Sequence, residues 1–131
     1  MSVLPKSKRS DNKRIEQIAQ LYTTNPASTT STVTQTTNRS TGVTLNTTAG
    51  QITTDTTSLA AAAEATFVVT NDKVTAKTVP VIAIASGAVA TPIAYVSAVA
   101  AGQFSITISN LHASTGETGA LVINFVLLGV E

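Results

Sequence analysis

When His112 is neutral, no charged side chain occurs between Lys77 and Glu117, and residues 79–101 are apolar almost throughout. A chain can hide such a run by crossing a bilayer as a helix of about 20 residues, or by laying it down as buried strands. Pro80, Gly87 and Pro92 decide between the two. A proline inside a helix removes a hydrogen bond and clashes with the preceding turn, a loss of about 3 kcal/mol, while strand ends and turns accept it. The spacing therefore predicts strands over residues 79–85 and 93–99, joined through Ser86-Gly87. Both are apolar at successive positions, which is the pattern of strands covered on both faces, so both are expected to lie centrally in a sheet.

The remaining sequence carries the same signal in weaker form. Val43 and Leu45 alternate with Thr44 and Asn46, and Ile52 follows a short turn at Gly50, which predicts a hairpin or two edge strands. Thr66, Val68 and Thr70 alternate with Phe67 and Val69 up to the turn residues Asn71-Asp72. Phe104, Ile106 and Ile108 alternate with Ser105, Thr107 and Ser109, the mark of a strand with one covered and one polar face. Residues 120–128 close the series with apolar side chains on both sides, and SLAAAAEA before the Phe67 strand is too short for a helix and predicts a packed loop. Short strands every 10–15 residues without long helices between them predict an all-β fold, a small antiparallel sandwich or barrel-like domain.

Three Phe, two Tyr and no Trp leave this domain few large side chains to bury. Chains of roughly 90 residues hide only about 60% of their unfolded surface, so burial between copies is expected to supply what one copy lacks. There is no cysteine, which removes disulfides and thiolate metal sites.

Ahead of the β domain the character changes. Lys6, Lys8, Arg9, Lys13 and Arg14 against Asp11 put +4 on residues 1–14, which leaves −3 on residues 15–131 of a chain whose total is +1. Residues 1–9, with Pro5, read as an extended basic arm. Ser10 or Asp11 can cap a short helix in which Ile15, Ile18, Ala19 and Tyr22 share one face, and so short a helix needs a surface to dock on. Of the 35 residues from 23 to 57, 16 are threonine, and the first part of this span reads as a low-complexity linker. The expected organisation is an arm and helix over 1–22, a linker over 23–38 and a β domain over 39–131. No apolar run of signal-peptide length follows the basic stretch, and no membrane association is expected.

The chemistry-bearing residues are sparse. His112 is the only histidine and lies in a Ser/Thr/Gly-rich loop, where a solvated loop side chain is the simpler account than the base of a nucleophile pair. Asp55, Glu64, Asp72 and Glu117 are dispersed, without the spacing of paired catalytic carboxylates or a calcium loop. Neither a phosphate-binding glycine loop nor a zinc pattern is present. No enzymatic activity, no cofactor and no metal are expected. The basic arm calls for an acidic partner surface; nucleic acid fits less well, because no aromatic residues are interleaved to stack on bases.

The ordered phrases GVTLN (42–46), GQIT (50–53), ATFVVTN (65–71) and ALVINF (120–125) carry a resemblance over roughly residues 39–129. In this series the chain resembles a β domain of tailed-bacteriophage virion proteins, in particular small capsid decoration (cement) proteins and head-fibre components. The resemblance implies a compact homotrimer on the outer surface of the capsid, with the major capsid protein as partner and the N-terminal segment as the attachment. Lys6, Lys8, Arg9, Lys13, Arg14, Ile15, Ile18 and Tyr22 are then the expected capsid-binding residues. It implies no catalytic residues. Two segments depart from the pattern, ASGAVATPIAYVSAVAAG by its proline and LHASTGETGAL by its longer loop, and both are places for a specialised surface. A head-fibre or adhesion module, binding a host glycan or protein through the loops 88–93 and 112–119, is the alternative.

Overall fold

A computed structural model describes residues 31–129, which form eight strands and no helix. β1 (Ser31–Thr34), β3 (Ala49–Thr53), β8 (Val122–Leu128) and β5 (Val79–Ser86) make one sheet in that order. β2 (Val43–Thr44), β4 (Glu64–Thr70), β7 (Gln103–Asn110) and β6 (Pro92–Ala100) make the other. The expected all-β fold is present, but the sheets are mixed and not antiparallel throughout: β1 lies parallel to β3, and β2 parallel to β4. The cause is the route of the chain. Its first four strands alternate between the two sheets, so strands two apart in sequence become neighbours, and each such pair runs the same way. For the same reason β2 and β3 form no hairpin; β2 is an edge of one sheet and β3 an interior strand of the other.

Alternation supplies the core. Phe67 and Val69 of β4 and Phe104, Ile106 and Ile108 of β7 face Ile52 of β3 and Ile123, Phe125 and Leu127 of β8, and all nine are buried in one cluster. The rings of Phe104 and Phe125 meet edge to face across the sheets with centroids 5.6 Å apart. Fully burying a side chain of this size contributes about 1.5–3 kcal/mol.

Three expectations change. β1 falls inside the stretch read as linker, because Ser31, Thr32, Val33 and Thr34 are strand formers and Val33 packs against the core. Residues 23–30 of the expected linker lie outside the described residues. β7 was expected to show a solvated polar face, yet Thr107 and Ser109 are buried, since β4 and β6 flank it on both sides. β5 and β6, expected at the centre, are instead edges: each is paired on one side only, β5 with β8 and β6 with β7. Of the SLAAAAEA run expected as a packed loop, residues 58–63 form one, with Leu59 buried and Ala62 at φ 60°, while Glu64 and Ala65 open β4. Among the described residues no helix is long and apolar enough to cross a membrane.

Candidate functional site

Each of the expected capsid-binding residues, Lys6, Lys8, Arg9, Lys13, Arg14, Ile15, Ile18 and Tyr22, lies outside the described residues, and so does the helix expected over 10–22. The described part offers two features in their place, a buried polar knot at one end and an apolar wall along one side.

The knot is built on Arg39 and Glu117, which are 3% and 0% exposed. Arg39 sits in the loop between β1 and β2. Its Nη2 donates to the carbonyl oxygens of Glu117 (3.0 Å) and Gly119 (2.8 Å), its Nη1 to Thr54 Oγ1 (3.1 Å), and its Nε to the Thr57 carbonyl. The Glu117 carboxylate accepts the backbone N–H groups of Gly119 (2.7 Å), Ala90 (2.8 Å) and Val89 (3.1 Å). Leu59 and Glu117 also exchange backbone hydrogen bonds, and Gln35 Nε2 donates to the Arg39 carbonyl at 3.1 Å. One arginine and one glutamate thus tie the β1–β2 loop, the 54–59 segment, the β5–β6 loop and the β7–β8 loop together. The backbones touch here as well: a β-carbon on Gly119 would stand 1.7 Å from the Gly87 carbonyl oxygen.

The electrostatics follow from this geometry. Burial pushes the Glu117 carboxyl up, but the amides of Ala90, Gly119 and Val89 and the nearby Arg39 charge outweigh it, so the group titrates below its ordinary value. Burial draws Arg39 down, against the opposing pull of Glu117 and Asp55. Among the described residues no buried side-chain polar atom lacks a partner. The buried polar groups of the knot are thus engaged with the loops they join.

His112 has a local task. Its Nδ1 accepts the backbone N–H groups of Thr115 (2.9 Å) and Ser114 (3.2 Å), which closes the turn leading to Glu117. Among the described residues no three His, Asp or Glu side chains are gathered in a metal-binding group. Asp55 is half-buried, and its carboxylate accepts the Thr57 hydroxyl and amide.

The wall is formed by the two edge strands. Val79 and Val81 of β5 point outward from one sheet, Ile93 and Tyr95 of β6 outward from the other, and all four are exposed. Between them the inward side chains Ile82, Ile84, Ala94, Val96 and Val99 pack on the core but remain only partly buried. Sequence reasoning found these strands and misplaced them. It missed the knot, whose only signal was a lone arginine in a threonine-rich stretch and a lone glutamate closing the uncharged run. Compared with known protein families, with curated proteins and with solved structures, the chain matches none.

Proposed function

We propose that this chain is a structural virion protein, a decoration protein that assembles as a homotrimer and stabilises a phage head from its outer surface. The observation that carries the reading is the separation of roles along the chain. Five of the eight cations lie within the first 14 residues, while the polar side chains buried in the β body are engaged in holding its own loops. The four phrases behind the phage resemblance fall on β2, β3, β4 and β8 with their flanking residues, the strands that frame the core.

Attachment through the arm would work by mass action. A protein that binds the assembled shell and not its dissociated subunits lowers the free energy of the shell by an amount set by concentration and affinity. Lys6, Lys8, Arg9, Lys13 and Arg14 supply attraction to an acidic capsid surface, and Ile15, Ile18 and Tyr22 an apolar stripe to seat on it. Co-sedimentation with phage heads lacking this protein tests the reading. The full chain should pellet with the heads, more weakly at high salt, and replacing the five cations by glutamate should abolish it. Unchanged co-sedimentation of that variant would refute the role of the arm.

The adhesion reading retains one supporting observation: Glu117 joins the two loops it requires at one end of the body, with Val89 and Leu111 exposed there. Binding of host cells by the full chain that survives the five-cation replacement would favour it.

A further inference from the structure

We propose that the β5/β6 wall is where copies of this chain meet, side chain packed against side chain. The proposal rests on the assembly reading above and names its surface.

The first observation is a mismatch between sequence and position. Residues 79–85 and 93–99 have the composition of strands covered on both faces, yet the single chain leaves them at its edges, with Val79 58% and Tyr95 41% exposed. The second is an unsealed core. Five such side chains, Ile82, Ile84, Ala94, Val96 and Val99, face inward but stay partly exposed, whereas at the opposite wall Val43 and Leu45 are buried and Val33 alone is partly exposed. The third is the chemistry of the edge. Strand edges that face water are ordinarily guarded by charge, and none occurs from Thr78 to Gly116 with His112 neutral.

What the edges do carry is Pro80, Pro92 and two irregularities, between Ile84 and Ser86 in β5 and between Val96 and Ala98 in β6. Prolines and bulges interrupt the row of backbone groups that an added strand would need. Open-ended sheet extension is therefore blocked, and packing of Val, Ile, Ala and Tyr side chains remains. That combination suits a closed ring about a rotation axis and works against a fibre. The size is adequate. Strands of eight or nine residues run about 25–30 Å, and two edges with their side chains span about 20 Å, a wall of roughly 600 Å² per copy against about 800 Å² for a standard interface. With no charge to complement a different protein, the wall fits a second copy of itself best.

The test uses the full chain. Val81→Lys together with Tyr95→Lys should reduce the mass in solution from oligomer to single chain with an unchanged circular-dichroism spectrum, while Thr32→Lys on the opposite edge leaves the oligomer intact. Because the chain has no cysteine, Tyr95→Cys gives a second readout that does not disturb folding through charge. Its maleimide labelling should be at least tenfold slower than that of Thr32→Cys. A wild-type oligomer that survives both lysines, or fast labelling at position 95 in the oligomer, overturns the assignment of the wall and leaves assembly standing. A wild-type monomer overturns assembly as well. A monomer in which position 95 is protected until residues 1–30 are removed overturns the second copy in favour of the chain's own N-terminal segment.

Discussion

Glu117 illustrates how one carboxylate can hold a loop. Its oxygens collect amides from Val89 and Ala90 on one side and Gly119 on the other, so the β5–β6 loop is fixed to the β7–β8 loop by hydrogen bonds to a charged acceptor. Such bonds are worth about 1.5–3 kcal/mol each and do not add simply. Glu117→Gln keeps the shape but replaces one acceptor oxygen with a donor aimed at amides, and should cost about 2 kcal/mol at neutral pH by urea unfolding. The pH dependence has a definite sign. A carboxyl whose folded value is depressed below 4.5 contributes stability that is fully present above that value and is lost as pH falls through the lower, folded one. The wild type should therefore lose stability on acidification below about pH 4.5, and Glu117→Gln should lose less over the same range. Some slope should remain in the variant, because Asp55 is held down as well, by the Thr57 hydroxyl and amide and, more weakly, by the Arg39 charge. An identical acid limb in the two proteins would show that Glu117 does not carry this dependence.

At the scale of the element, β7 holds the plainest case of polar burial. Thr66 Oγ1 and Thr107 Oγ1 lie 2.7 Å apart, and Thr107 Oγ1 donates to Ser97 Oγ at 2.8 Å, so a ladder of hydroxyls runs across β4, β7 and β6. Thr107→Val removes the middle rung; Thr66 and Ser97 are themselves exposed, so water takes up their hydroxyls and the expected loss is about 0.5–1.5 kcal/mol. Thr66→Val should cost less in the Thr107→Val background than alone, since the shared bond is already gone; additive losses in the double variant would count against coupling through the ladder. This ladder also marks the limit of the sequence. The alternation of Phe104, Ile106 and Ile108 identified the core face of β7 because a strand turns successive side chains to opposite sides. Whether the other face is wet depends on which strands flank it, and that is a matter of topology. The same limit misplaced β5 and β6, whose apolar runs register the need for cover without naming what provides it. Arg39 was out of reach for a related reason: its acceptors lie 15 to 80 residues away in sequence and meet only in the folded chain.

For the whole molecule, the proportion of core to surface sets the terms. Nine side chains from β3, β4, β7 and β8 close the centre of the sandwich, and no ninth strand or docked helix seals the β5/β6 side among the described residues. If copies of the chain seal it, unfolding is coupled to dissociation and the apparent stability depends on concentration. For three chains unfolding together, a hundredfold rise in concentration adds about 1.8 kcal/mol per chain. With a urea slope of about 1–2 kcal/mol per molar for a domain of this size, the midpoint should move up by on the order of 1 M between 1 and 100 µM protein, taken as roughly the accessible range. A monomer gives no such shift. In the variant carrying Val81→Lys and Tyr95→Lys the midpoint should be independent of concentration and should coincide with the dilute limit of the wild type, because both then report the sandwich with its wall in water. A midpoint that rises equally in the two proteins would mean that the chains associate through some other face.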